Sequence, residues 1–246
     1  MQHFYVEPEA VHDDFVLISG SDVNHIKNVL RMKPGEELVV CDDESHEYLC
    51  AVEDYDRENV ICRIKERREA ALELPIKVIL FQGLPKKDKM ELIIQKAVEL
   101  GAAEIVPVVT KRTIVKLEDP KKEEKKTERW QAIAEAAAKQ CGRGIIPKVS
   151  VPVSYKQALA RAKELDISFI PYELAEGMDA ARDQIKSLSD KKSVGVFIGP
   201  EGGFERSEIE DAESSGVSPI TLGKRILRTE TAAICVLSVI MFSLTE

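Results

Sequence analysis

Three short segments of this 246-residue chain carry residue types that chemistry uses and ordinary packing does not require. The first is Ile198–Phe204, IGPEGGF. Gly199, Gly202 and Gly203 allow backbone conformations closed to other residues and let a ligand come close to the main chain. Pro200 stiffens the loop and removes one donor. Glu201 is a carboxylate set among glycines. The second segment is Leu222–Thr231, LGKRILRTET, in which Gly223 is joined by Lys224, Arg225 and Arg228. It reads as a loop that receives an anion or a nucleotide at a helix N-terminus. The third is Phe169–Leu174, FIPYEL. The first two also have plainer readings. IGPEGGF can be a tight turn between a strand and a helix. LGKRILRTET can be a basic turn with Thr229 as N-cap of the last helix. Neither motif has the GxGxxG of a dinucleotide site or the Lys-Ser/Thr of a phosphate loop.

The elements that must position these segments follow from hydrophobic period. His25–Met32 reads as a short amphipathic helix, with Ser21 or Asp22 as candidate caps. Alternating stretches at Glu37–Cys41, Glu47–Tyr55 and Asn59–Glu66 read as antiparallel strands of a small β-rich module. Ala70–Pro75 reads as a linker. Beyond it the pattern becomes strand, helix, strand, helix. Lys77–Gln82 is a near-continuous apolar run, as expected of a strand buried on both faces. Asp88 and Glu91 resemble a capping box ahead of a helix that Gly101 ends. Strands are expected at Glu104–Val109, Ser168–Pro171, Val194–Ile198 and Pro219–Leu222. Helices are expected at Thr127–Cys141, Tyr155–Glu164, Arg206–Ser215 and Thr229–Leu244, and Asp119–Lys126 reads as a solvated loop or helix entry. Such alternation predicts an α/β domain with a mostly parallel sheet, over 73–246, after a first domain over 1–72. Parallel sheets take ligands beyond the carboxyl ends of their strands, where all three segments fall.

Composition bounds the answer. The chain is 44% hydrophobic and 32% charged, ordinary for a globular protein. The N-terminus lacks a secretory pattern, and the most apolar stretch, Ala232–Leu244, falls short of the roughly 20 apolar residues of a membrane span. Five cysteines without CxxC spacing argue against a disulfide framework or structural zinc, and no histidine has a metal-ligand partner at a useful spacing, so no metal is expected. A cytoplasmic protein fits best. Net charge is −8, with −9 in residues 1–72 and +1 in the rest, so phosphate contacts should come from local basic clusters.

Taken in series, IGPEGGF and LGKRILRTETA resemble the C-terminal signature of the SPOUT methyltransferases that form 3-methyluridine in 16S ribosomal RNA. His25–Leu30 followed by Arg31-Met32-Lys33-Pro34-Gly35 is similar to that family's N-terminal module. So are Pro85-Lys86-Lys87-Asp88-Lys89, Gln95–Gly101 and Glu135–Arg143 to segments of its catalytic domain, and the match runs over nearly the whole chain in order. Cys141 stands where the family more often has Ser, and Arg161–Lys192 carries no recognisable motif. The resemblance implies a β-barrel-like, PUA-related RNA-binding domain, an α/β domain tied in a deep trefoil knot, a homodimer, and S-adenosylmethionine as cofactor. It assigns the cofactor to Leu174, Gly199, Pro200, Gly202, Gly203, Leu222, Gly223, Ile226 and Leu227. Uridine N3 carries a proton and is a poor nucleophile, so the site must remove that proton or stabilise the uridine anion. Arg228 is the expected stabiliser of that charge, with Glu201 orienting Arg228 or accepting the proton. RNA, or the small ribosomal subunit, would be held by His25, Lys27, Arg31, Lys33, Lys86, Lys87, Lys89, Lys111, Arg112, Lys139 and Arg143, although most surface lysines are merely solvated. Three other readings remain. One is a non-catalytic RNA-binding ribosome assembly factor. Another is a SPOUT enzyme for a different base or a ribose. The third, a nucleotide- or dinucleotide-dependent metabolic enzyme, is weakened by the missing GxGxxG.

Overall fold

The computed structural model describes residues 1–42, 46–69, 72–114, 120–173, 175 and 177–245. The chain forms two compact units: Met1–Glu73 together with Ala138–Ile146, and Leu74–Ala137 together with Pro147–Glu246. The first unit therefore takes in a segment that sequence reading places within the second domain.

In the first unit, β1 (His3–Tyr5), β2 (Phe15–Ser19), β3 (Glu37–Cys41), β4 (His46–Tyr55) and β5 (Asn59–Glu69) make one sheet in the order β1-β3-β4-β5-β2. β1 runs parallel to β3 and the other pairs are antiparallel. Alternation in these strands buries Val16, Ile18, Leu38, Val40, Cys50, Val52, Val60 and Cys62 in one core with Phe4 and Ile26. The expected helix at His25–Met32 is a short α-turn, α1 (Ser21–Asn24), running into a π-wound turn, His25–Leu30. Ser21 and Asp22 lie inside it and neither caps it; Gly20, at φ 70°, precedes it instead. Arg31 ends the turn with a left-handed φ of 55°.

The second unit carries β6 (Lys77–Gly83), α2 (Lys89–Glu99), β7 (Glu104–Val109), α3 (Pro120–Cys141), β8 (Lys148–Val149), β9 (Val153–Ser154), α4 (Tyr155–Ala162), β10 (Ile167–Pro171), α5 (Met178–Lys186), β11 (Ser193–Ile198), α6 (Arg206–Ser214), β12 (Ser218–Ile220) and α7 (Thr229–Leu244). The end of α3 belongs to the first unit. The strands pair in the order β12-β10-β11-β6-β7-β8, with β9 beside β7, and every pair is parallel. The expected α/β parallel architecture is thus present. β6 is buried from Val78 to Gly83, because helices cover both faces of such a sheet. Phe81 stacks on Phe197 at 4.4 Å between ring centroids, with Tyr155 and Phe204 around them. α2 buries Met90, Ile93, Ile94, Ala97 and Val98, and α7 buries Ala233, Val236, Leu237 and Ile240; both sets follow helical spacing. Residues 120–126 are helical, forming the start of α3, and α5 is a helix within the stretch that carries no recognisable motif. Asp88 precedes α2 but makes no side-chain cap; Glu91 pairs with Arg129 at 2.7 Å. No helix among the described residues is long and apolar enough to cross a membrane.

From β6 the strand order runs through β7 to β8 on one side, and through β11 and β10 to β12 on the other. The chain's order reverses between β6 and β11. In an open parallel sheet, a crevice forms at the carboxyl ends where this happens.

Candidate active site

Because all strands of the second sheet are parallel, the loops after β6, β7, β10, β11 and β12 emerge at one end. Two adjoining clefts lie there. One is lined by Gly199–Phe204 together with Pro171, Glu173, Ile198, Ile226, Leu227, Thr229 and Ala232. The other is lined by Leu222, Gly223 and Arg225, and shares Pro171, Glu173, Ile226, Leu227 and Ala232 with the first. The structure therefore gathers Gly199, Pro200, Glu201, Gly202, Gly203, Leu222, Gly223, Ile226 and Leu227 around one crevice. Leu174 lies outside the described residues.

The glycine loop is held by its neighbours. Register pairs Ile198 with Gln82, so Gly83 and Gly199 sit side by side. A Cβ on Gly83 would come 2.6 Å from Pro200 Cδ, and one on Gly199 would come 3.0 Å from the Gly203 backbone. Gly203 takes φ 66°, and its N–H donates to the Pro200 carbonyl at 2.9 Å. Beside Gly203, the nearest atom to an added Cβ is a Glu173 carboxylate oxygen at 4.0 Å; beside Gly223 there is none within 4 Å. Backbone at both positions is open to a ligand. Arg112 donates from Nη1 to the Gly202 carbonyl at 2.6 Å, and the Lys111 N–H donates to Glu208 at 2.9 Å. Arg112, expected on RNA, thus also braces the loop.

Glu201 accepts from the Lys86 N–H at 3.0 Å and pairs with Lys89 Nζ at 3.2 Å. Lys89 lies 3.3 Å from Glu230 as well. Partial burial works to raise the Glu201 pKa. Hydrogen bonds from its own N–H and that of Lys86, with the Lys89 ammonium, outweigh this and hold the carboxyl below the usual range. That makes it a weak base, and its bonds run to the β6–α2 loop. No hydrogen bond or ion pair joins it to Arg228 among the described residues. Arg228 is exposed, immediately before α7, with no ion pair among the described residues. Thr229 is not the N-cap: it is the first helical residue, and its hydroxyl donates to the Gly199 carbonyl at 2.6 Å.

The expected RNA-facing residues divide. Lys86 and Lys87 follow β6 at the crevice end and are exposed, Lys87 with φ 56°. His25, Lys27, Arg31 and Lys33 are exposed in the first unit, where Lys27 lies 5.6 Å from the Tyr55 ring centroid. Lys139 is half-buried against Asp22 at 3.1 Å. Arg143 must be corrected. It is only 4% exposed, its guanidinium is bound by Glu73, and its carbonyl receives the Tyr5 hydroxyl, so it is a structural residue and not a phosphate contact. Glu173 was missed, because a lone Glu after a strand carries no pattern; only the folded crevice sets its carboxylate beside Gly203.

The lining suits a ligand with a flat apolar part, hydrogen-bonding edges and a positive charge. Ile198, Phe204, Leu222, Ile226 and Leu227 supply apolar surface, the glycines supply unobstructed backbone, and Glu173 supplies a carboxylate.

A family model described as an RNA methyltransferase domain matches residues 72–241, and one described as an RNA methyltransferase PUA domain matches residues 18–65. The chain is 40% identical over 249 residues to the ribosomal RNA small subunit methyltransferase E of Bacillus subtilis, covering 98% of this chain and 96% of that protein. Among solved structures, a methyltransferase from Legionella pneumophila in complex with bound SAM superposes with a TM-score of 0.83 at 34% identity, covering 98% and 96% of the two chains. A ribosomal RNA small subunit methyltransferase E from Neisseria gonorrhoeae bound to S-adenosyl methionine gives a TM-score of 0.84 at 28% identity, covering 98% and 97%.

Proposed function

Since the chain belongs to the ribosomal RNA small subunit methyltransferase E family, we propose that it methylates N3 of a uridine in 16S ribosomal RNA, using S-adenosylmethionine. The observation that carries this reading is the crevice at the carboxyl ends of β6, β10, β11 and β12. There a braced glycine loop faces the 222–227 stretch, and the exposed Arg228, with no ion pair among the described residues, follows directly before α7. When bound, the cofactor supplies an electrophilic methyl group on a sulfonium. Gly203 and Gly223 leave backbone free to meet the nucleoside and methionine parts, with Gly199 shaping the loop beside them, Ile198, Leu222, Ile226 and Leu227 pack its apolar surface, and Glu173 complements its positive charge. Pro200 and Gly202 keep the loop in shape.

The target nitrogen must lose its proton for an electron pair to be available. Arg228 is the group suited to stabilise the uridine anion, since its guanidinium has no protein anion among the described residues to satisfy it. Glu201 serves as a positioning residue and not as the base, because a carboxyl held below its usual range by Lys86 and Lys89 is a weak base. RNA is held by Lys86, Lys87, Lys89, Lys111 and Arg112 near the crevice, and by His25, Lys27, Arg31 and Lys33 of the PUA-like unit. Lys139 contributes charge only where it is not engaged by Asp22. A uridine in folded RNA has to be turned out of its stack to reach such a crevice.

The finer architecture belongs to the same proposal. α7 is the helix that a trefoil knot would thread, with its first residue bonded to Gly199. Val239 and Phe242, 43% and 82% exposed on the same helix, suit burial in a homodimer. The protein works in the cytoplasm, where the ribosomal subunit is. The test uses small ribosomal subunits from cells lacking this protein, incubated with it and the cofactor, then read by reverse transcription. N3 methylation blocks base pairing, so one new cofactor-dependent stop is expected. Methyl transfer without a stop would move the reaction to a ribose or another base atom, and absence of cofactor binding would overturn the reading.

A further inference from the structure

Gln82 is fully buried at the end of β6, beneath the crevice. Its Nε2 lies 2.9 Å from the Gly83 carbonyl and 2.9 Å from Thr229 Oγ1. A carbonyl only accepts, so the atom facing it is the amide nitrogen, which fixes the orientation of the side chain. Thr229 Oγ1 then accepts from Gln82, and its single proton goes to the Gly199 carbonyl at 2.6 Å. The direction of the chain is settled throughout: amide to hydroxyl to loop carbonyl. Gln82 Oε1 is buried with no partner among the described residues. An unmet buried acceptor is costly, and an apolar side chain of similar size would avoid that cost. Packing alone therefore does not account for a glutamine here; its two donated hydrogen bonds do.

We propose that Gln82 and Thr229 are positioning residues, a two-link relay that fixes the Gly199 carbonyl and ties the start of α7 to the glycine loop. The relay locks the Gly199–Pro200 peptide to the body of the sheet. It also fixes residue 229, so the neighbours Leu227 and Arg228 are held at a set place beside the loop. Gln82 acts only through Thr229 and the backbone, which distinguishes it from the residues that line the crevice. The inference rests on the cofactor reading given above.

Isothermal titration with S-adenosylmethionine on the full chain tests both. Thr229→Val and Gln82→Leu each remove two buried hydrogen bonds and break the link to the Gly199 carbonyl or its support, and each is expected to weaken binding about tenfold. The double variant is expected to be no weaker than either alone, because the two residues act in one chain. Thr229→Ser keeps the hydroxyl and is expected to bind like the original protein. Melting curves verify folding, and if Gln82→Leu does not fold, the Val and Ser variants at 229 decide the matter. Equal binding by Thr229→Val overturns the relay, as does a Thr229→Ser loss matching that of Val, or effects that multiply in the double variant. Failure of the unaltered chain to bind overturns the cofactor reading, and the relay with it.

Discussion

Glu201 accepts the Lys86 N–H and pairs with Lys89, and both favour its ionised form. A carboxyl held below its usual range is already deprotonated at neutral pH and takes up a proton only in more acid solution. Glu201→Gln is therefore expected to lower methyl transfer less than about tenfold, the loss of one brace, and to leave the acid limb of the pH–rate profile in place. Disappearance of that limb would restore Glu201 as the base. Arg228 has a larger expected effect. Arg228→Ala should reduce kcat about 10²-fold, as removal of a transition-state charge partner does, with cofactor affinity by titration nearly unchanged. Full turnover by that variant would end its assignment. At this scale, residue types in series were informative: the glycines, Glu201 and the 222–228 stretch do meet in the fold. The partners of charged side chains were not legible. Nothing local to Arg143 announces that Glu73, 70 residues earlier, binds it, and Thr229 resembles an N-cap until Gly199 is brought beneath it.

Among the elements, the glycine loop shows why conformation at one position matters to its neighbours. Gly199 has space only because it lacks a Cβ; an added one would meet the Gly203 backbone at 3.0 Å, and Gly203 itself needs a left-handed φ. Gly199→Ala must displace one of the two. It is expected to weaken S-adenosylmethionine binding about tenfold, in keeping with the roughly 1–3 kcal/mol that forcing an extra carbon into a filled site costs, measured by titration against the unaltered chain. Affinity equal to that chain's would show that the loop is not shaped at this point. Strands buried on both faces were plain in the sequence, since runs such as Val78–Phe81 have few alternatives. Short elements were not. β1 has three residues, too few for a period, and α5 buries only Ala181 and Ile185 in nine residues, too few for a stripe. Caps failed for a related reason: Asp88 and Ser21 are residues that can cap, and the decision rests on loop geometry that spacing does not contain.

For the whole molecule, the charge asymmetry between residues 1–72 and the rest has a counterpart in two units of different construction, a mostly antiparallel sheet module and a parallel α/β domain. Strand alternation and the change of period at Lys77 marked the change of construction, but no pattern placed Ala138–Ile146 with the first unit. The proposed knot and homodimer are matters of connection and contact, on which periodicity is silent. Phe242 gives the dimer a test: Phe242→Glu places a charge on the exposed apolar side of α7 and is expected to raise the monomer fraction, measured by light scattering after size exclusion. If the unaltered chain is monomeric at micromolar concentration, the homodimer is withdrawn.

The segment Ala138–Ile146 gives the molecule an order of assembly. Its Arg143 fills the space beside Glu73 and receives the Tyr5 hydroxyl, and its Lys139 meets Asp22. A ribosome that has just released residue 73 has released an N-terminal module still lacking an inner part. That module closes only after more than seventy further residues have emerged. Cutting the gene at the apparent linker would leave Glu73 and Tyr5 facing a gap, and the excised piece would be a fragment of a domain, short of the strut that completes it.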